Sequence, residues 1–510
     1  MAWTMRGIPD RTVCPFLCTF GGYTVTMDED PGRLTARDIT GKIDRAKSYI
    51  MSVGESAVDI FVSILLLVLV GRAYGPGGLG VYSFLLSVYV IVSFLAEPGV
   101  NKYVEREIAF GNRGDADSLL IDTRRVVFLS GLAGSMGTLL LGRWLIGVSS
   151  VALNAWPGFC VLAAAVPLNL YSGFKTSILH GRGDHVIASR AGFVKRLVQL
   201  FSVYFLSGMG LRPDLLVVAF VFSETAFIGI AKRKLRMPAL KGTIKGLGNA
   251  GAVLSESLKF YFTHEGLKVL FFLDFFILGI FVSSAQEGSY AEASVLARLF
   301  LIIPLGAAPL YRVRVYSLAG IGREKIYLDS TKTAARFFTF HSVVALAFLL
   351  YFPHIIRAVF KIQGDIPVFF RIFSLLLPGL LLFSSTIVLE PLFNVSGREA
   401  GLSSIALWVF LINAFLNFYL IPYAGVFGAA VATSLSLIIY FLLFAHGVGE
   451  KGLIPYKIYL ISGAMVYVAY HVLQVVRIPA LLVLAIIAVV LPAMFGMVGL
   501  YDQNAERSMQ

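Results

Sequence analysis

FVSILLLVLVGRAYGPGGLGVYSFLLSVYVIVSFL, residues 61–95, sets a glycine-rich turn between two apolar runs. The turn itself, GPGGLG (75–80), fits the G-x-G-x-x-G template of a dinucleotide-binding loop. That template needs a strand before it, a helix after it and an acidic residue about 20 residues on. Here the flanks are apolar on the scale of a bilayer crossing, which takes about 20 residues. The acidic residue nearest the required distance, Glu97, closes the second run. Glycine permits positive φ and close backbone approach, and Pro76 pre-sets a turn. The stretch therefore predicts a membrane hairpin rather than a cofactor loop.

The rest of the chain agrees. Of 510 residues, 57% are hydrophobic and 14% charged, against about 25% charged in soluble domains. Mean hydropathy is +0.80. This composition excludes a soluble globular protein and predicts an all-α polytopic membrane protein. The net charge of +13 lies between apolar runs. Nucleic-acid binding needs basic residues gathered on one accessible, aromatic-interleaved face, so no nucleic-acid partner is expected. Cys14, Cys18 and Cys160 form neither a zinc set nor a disulfide framework. No H-E-x-x-H and no nucleophile–base arrangement occurs in the sequence, so a transporter without metal or organic cofactor is expected.

Fourteen spans are predicted, near 48–70, 80–97, 126–147, 151–174, 187–208, 213–231, 260–283, 289–311, 337–352, 367–389, 402–421, 425–445, 456–474 and 478–500. They divide the chain into a disordered extension without a signal peptide (1–47), an N-lobe of helices 1–6 (48–231) and a basic lobe linker (232–259). A C-lobe of helices 7–12 (260–446), helices 13–14 (455–500) and a tail (501–510) follow. Alternate loops carry 34 of the 43 Lys and Arg residues, with Lys195 and Arg196 counted in loop 175–196. The other side carries seven, Arg72, Arg143, Arg212, Arg357, Lys361, Arg371 and Arg477. The positive-inside rule then puts both termini in the cytoplasm of a cell-membrane protein. The linker, KRKLRMPALKGTIKGLGN and its flanks, is expected to lie along anionic membrane lipids.

The two halves repeat weakly. YIMSVGES (49–56) meets YFTHEGL (261–267), which sets Glu55 on Glu265. YSFLLSVYVIVSFLAEPGV (82–100) meets YAEASVLARLFLIIPLGAAPL (290–310). Because both halves begin on the same side, the repeat is parallel, about an axis along the membrane normal.

Residues 71–111 resemble the first hairpin of the polysaccharide transporter branch of the multidrug/oligosaccharidyl-lipid/polysaccharide flippase superfamily. The resemblance rests on Gly75, Pro76, Gly80, Tyr82, Gly99 and Arg106-Glu107-Ile108-Ala109. LNFYLIPYAGVFGAAVATSLSLIIY (416–440) is similar to the family stretch joining spans 11 and 12, through Asn417, Leu420, Ile421, Pro422, Gly425, Gly428, Ala429, Ala430, Ala432 and Thr433. Structural needs explain most of these residues, since small side chains let helices pack closely. The resemblance implies two six-helix bundles around a central cavity, working by alternating access. It also implies a lipid-linked oligosaccharide as cargo, and other membrane proteins of polysaccharide assembly as partners.

Ionisable residues inside spans are functional candidates by default. They are Glu55 and Asp59 in span 1, Glu224 in span 6, Glu265, Lys268 and Asp274 in span 7, and Glu292 and Arg298 in span 8. Spans 1 and 7 line the cavity in the superfamily. A guanidinium at Arg298 suits a pyrophosphate, which it can hold with two hydrogen bonds, and Lys268 can add a second positive charge. The alternative is ion pairing, of Arg298 with Asp274 or of Lys268 with Glu265. Asp59, Glu55, Asp274 and Glu265 are candidates for H+ or Na+ coupling, although Glu55 beside Lys47 can equally be a solvated interfacial charge. A cation-coupled drug or metabolite antiporter of the same superfamily is the first alternative function. A membrane-embedded glycan polymerase or ligase is the second.

Overall fold

The computed structural model describes residues 36–109, 116–152, 154–235, 247–258, 261, 264–301, 304–305, 366–390 and 399–447. Among these residues the fold is all-helical, with no strand. In chain order the helices are α1 (Ala36–Ala96), α2 (Val100–Ala109), α3 (Ala116–Val148), α4 (Trp156–Gly181), α5 (His185–Gly208) and α6 (Val218–Lys234). They continue as α7 (Leu247–Ser257), α8 (His264–Phe281), α9 (Ser284–Arg298), α10 (Ile366–Leu389) and α11 (Glu399–Gly447). The expected spans at 337–352, 456–474 and 478–500 lie outside the described residues.

The opening stretch is a hairpin. α1 has 61 residues, which at about 1.5 Å per residue would make a straight rod of roughly 90 Å, three bilayer cores long. It breaks instead at Gly75, where φ is 67° and ψ −173°, with Pro76 next. A side chain at Gly71 would meet Leu79 at 3.6 Å, although eight residues of straight helix would separate them by about 12 Å. α11 turns in the same way at Gly425, with φ 56° and Pro422 inside the helix. There a Cβ on Gly428 would collide with the Leu420 carbonyl and stand 3.1 Å from the Ile421 nitrogen. Only glycine allows both the positive φ and the close return.

α1 begins at Ala36, earlier than the expected start at 48. ARDITGKIDRAK (36–47) spaces Asp38 and Lys42 four apart, a charge pairing that favours helix.

Six described helical segments are long and apolar enough to cross a membrane, with mean hydropathies from 1.3 to 2.2. Phe128, Leu132, Met136 and Leu140 stand exposed along one face of α3, four residues apart. Tyr204 and Phe205 on α5 and Trp408, Phe415 and Tyr419 on α11 are exposed as well. Water would penalise such stripes, whereas acyl chains accept them. The chain is a multi-pass membrane protein.

α1 packs with α3, α4 and α5, and α6 packs with α4 and α5, while α8, α9, α10 and α11 pack together. The two groups meet where α1 lies against α8 and α9. The linker helix α7 packs on α2 and α3.

Candidate functional site

The lobes join in two different ways along one seam. At the end that carries the Gly75 turn, contact is backbone on backbone. A Cβ at Gly80 would overlap the Ser284 carbonyl, and one at Gly288 would overlap the Pro76 carbonyl. Ser149 donates its hydroxyl hydrogen bond to the Gly279 carbonyl, and Ser150 donates to that of Val282 at 3.0 Å. Phe84 stacks on Phe276 with centroids 6.3 Å apart. At the opposite end, near α2, the seam is bridged by aromatic rings, with Phe94 stacked on Tyr261 at 4.7 Å.

Each lobe also holds charge. In the N-lobe, Arg196 of α5 grips Asp59 of α1 through both carboxylate oxygens, at 2.6 and 3.1 Å. Its third contact is to Gln199 Oε1 at 3.0 Å. The next residue, Lys195, pairs with Glu224 of α6 at 2.7 Å. Glu224 also accepts hydrogen bonds from Tyr89 at 3.0 Å and Ser172 at 2.5 Å. Both carboxylates thus face their own cation. The charge count placed Lys195 and Arg196 in the basic loop 175–196, although the expected span 187–208 also contains them; the structure places both inside α5, paired with carboxylates of α6 and α1. The signal available in advance was their position about two turns inside the expected span 187–208.

The C-lobe is arranged more loosely. Asp274 of α8 is fully buried. It accepts from Tyr290 at 2.5 Å, from the Phe275 N–H at 2.8 Å and from Thr433 at 3.4 Å. Its cation is Arg298, 3.9 Å away, at the limit of an ion pair. Arg298 instead donates to the Phe271 carbonyl at 2.5 Å and to Ser294 at 3.0 Å. Its guanidinium sits over the rings of Phe271, Phe272 and Phe275, 5.0 to 5.5 Å from their centroids. Such rings hold a cation through their quadrupoles without neutralising it. Glu287 of α9 was not singled out in the sequence. It is fully buried, and neither carboxyl oxygen has a hydrogen-bond partner among the described residues.

The structure thus brings Arg298 and Asp274 together and ties Asp59 to Arg196. Glu292 faces Gly71, whose Cβ would lie 3.8 Å from the Glu292 carboxyl. Glu55, Glu265 and Lys268 fall on α1 and α8, and their side chains lie outside the described residues.

Neither a family model nor a curated protein matches the sequence. Solved structures do match the fold. The lipid II flippase MurJ in an inward closed conformation aligns over 91% of this chain and 99% of its own, with a TM-score of 0.68 and 15% identity. A multidrug resistance MATE family transporter of the MOP superfamily, in an inward-facing conformation, aligns over 82% of this chain and 95% of its own, with a TM-score of 0.61 and 14% identity. A MOP superfamily transporter from Pyrococcus furiosus aligns over 83% and 96%, with a TM-score of 0.53 and 14% identity. At these identities the likeness is one of fold: the chain has the fold shared by MurJ and the MATE transporters of the MOP superfamily.

Proposed function

We propose that this protein is a flippase that carries a polyprenyl-phosphate or -pyrophosphate glycan across the cytoplasmic membrane by alternating access, for surface polysaccharide synthesis. The observation that carries the proposal is Arg298. It is a guanidinium held in a cage of three phenylalanines, with its carboxylate at 3.9 Å. A phosphate can take such a cation from carbonyl and hydroxyl partners with two hydrogen bonds. Lys268, on α8 with the cage, is the second candidate for the phosphate. Asp274 is the leading candidate for H+ or Na+ coupling, ahead of Asp59, which Arg196 already neutralises. Glu55 and Glu265 complete that set.

The asymmetric seam supports alternating access. Backbone contact at the Gly75 end and a ring contact at the α2 end give the lobes a firm hinge side and a lighter one. The positive-inside charge distribution puts the α2 end and both termini in the cytoplasm. The seam as drawn is then shut towards the outside.

A second function has its own observation. Asp274 and Glu287 are two buried carboxyls in one lobe, and acidic cavity groups suit a cation-coupled drug antiporter of the same fold. Deleting the gene in its host and analysing lipid-linked glycans by mass spectrometry separates the two. The flippase predicts trapped polyprenyl-linked glycan and loss of the surface product. Unchanged glycans with altered sensitivity to cationic toxins would favour the antiporter.

A further inference from the structure

Three cations of the N-lobe gather at its α2 end, on three different helices. Lys175 of α4 is 2% exposed. Its ammonium donates to the Ile228 carbonyl of α6 at 3.2 Å and stands 5.0 Å from the centre of the Tyr171 ring. The guanidinium of Arg124, on α3, lies 5.8 Å from the centre of the same ring. Lys232 is exposed on α6, one turn beyond Ile228. The charged neighbours that act on Lys175 are Lys232 and Arg124, both of its own sign. None of the three has a carboxylate partner among the described residues. The acidic groups of adjacent turns are taken, Asp122 by Arg125 at 3.1 Å and Glu224 by Lys195 at 2.7 Å.

Such a group is more than a fringe of topology-setting charge. Long basic side chains near a helix end run outwards to water, whereas Lys175 is buried against a neighbouring helix. Like charges held together repel, and a buried charge is costly unless it is paired. The group therefore calls for an anion that the described residues do not supply.

The position of the group says where that anion comes from. Asn169, Gly173, Thr176 and His180 of α4 line the cleft at the lobe seam. At about 100° per residue, Tyr171 and Lys175 fall on roughly the opposite side of that helix. α4 packs on both α3 and α6, and α3 starts where α4 and α6 end. On α3, Arg124 stands one turn before Phe128, the first residue of the exposed apolar stripe. On α6, Phe222, Thr225, Gly229 and Lys232 are exposed along one face, and a Cβ on Gly229 would meet nothing within 4 Å. Both exposed faces thus end in a cation at the same end of the lobe, with Lys175 on the helix between them.

We infer that Arg124, Lys175 and Lys232 form a binding site for the phosphate headgroup of an anionic phospholipid, on the outer face of the N-lobe, with the acyl chains lying against α3 and α6. Basic pockets between transmembrane helices hold such headgroups, and phosphate oxygens accept charge-assisted hydrogen bonds from both guanidinium and ammonium groups. This is not the diffuse attraction of the linker 232–259 to the membrane, because two of the three cations belong to α3 and α4 and one of them is buried. Nor does the site depend on what the protein transports, since it faces away from the cleft. A headgroup there would tie α3, α4 and α6 together at one end.

The test uses the full-length protein in a non-ionic detergent, with native mass spectrometry of bound dioleoylphosphatidylglycerol against dioleoylphosphatidylcholine. The wild-type protein should retain phosphatidylglycerol in preference, and inorganic phosphate in excess should not displace it. The double variant Arg124→Gln/Lys232→Gln should weaken that retention about tenfold, the worth of one charge-assisted hydrogen bond. Lys175→Met should do the same. Should its folding fail, the double variant, at partly and fully exposed positions, still decides the matter. Arg233→Gln removes an exposed charge next to Lys232 and should leave retention nearly unchanged. Equal retention of the two lipids by wild type, unchanged retention in the double variant, or an equal loss in Arg233→Gln would overturn the inference. Displacement by inorganic phosphate would mean a site for the soluble anion and would reject the lipid.

Discussion

The two lobes handle the same problem, charge inside a membrane, in opposite ways. In the N-lobe the two described pairs that join α5 to its neighbours are tight, Arg196 on Asp59 at 2.6 Å and Lys195 on Glu224 at 2.7 Å. In the C-lobe the corresponding pair is stretched to 3.9 Å, the cation rests on aromatic rings, and Glu287 has no partner among the described residues. Tight pairs repay their desolvation and fix helix packing. A looser pair, not closed by a direct hydrogen bond, is easier for an incoming anion to displace, because the attraction between its charges falls with distance. The N-lobe charges therefore read as scaffold, and the C-lobe charges as the working set.

The comparison can be broken at several points. The largest effect is expected where the lobes meet. Gly80→Leu would drive a side chain into the Ser284 backbone, so the seam could not close and export should fall to background. A Ser150→Cys/Val282→Cys pair, which cross-links across the closed seam, should then fail to form. Normal cross-linking in Gly80→Leu would remove the closed seam from the mechanism.

Next comes Lys195→Met. It strands a Glu224 that is 2% exposed and should cost about 3–5 kcal/mol of stability, read as faster thermal inactivation in detergent. Stability equal to wild type would mean the N-lobe pair is not scaffold. Arg298→Gln should behave the other way round. Export should fall about 10- to 100-fold, the worth of one or two charge-assisted hydrogen bonds, with thermal stability nearly unchanged. A large loss of stability would put Arg298 with the scaffold.

Arg196→Gln should be milder than Lys195→Met, because Asp59 has 40% side-chain exposure and water can replace the cation. About 1 kcal/mol is expected, as for partly solvated pairs, with export largely retained. The smallest effect is expected from Glu287→Gln, which keeps the shape of a group that makes no hydrogen bond among the described residues. Its stability should change by no more than about 0.5 kcal/mol, and a multi-kcal loss would reveal a partner for the carboxyl.

Local chemistry was legible in the sequence, and long-range pairing was not. The turns at Gly75 and Gly425 could be anticipated, because glycine and proline between apolar runs leave little alternative to a reversal, and both glycines have positive φ. Arg298 and Asp274 stood out as charges in apolar surroundings, and the sequence already offered their pairing as one outcome. Arg196 did not stand out. Its partner Asp59 is 137 residues away, a separation that no periodicity encodes, and the charge count kept Lys195 and Arg196 with the basic loop 175–196 although the span 187–208 contains them. Glu287 was missed for a similar reason. It falls in the interval between two apolar runs, where a carboxylate looks solvated, yet the first turn of α9 buries it.

The most direct measurement is a leaflet-exchange assay in proteoliposomes containing the full-length protein and a fluorescent polyprenyl-pyrophosphate oligosaccharide, with an impermeant quencher reporting the exposed leaflet. Protein-dependent loss of the protected fraction, slowed about 10- to 100-fold by Arg298→Gln and little affected by Arg196→Gln, is the predicted result. A protected fraction that stays constant with wild-type protein, or that both variants slow equally, would contradict the assignment of transport to the C-lobe charges.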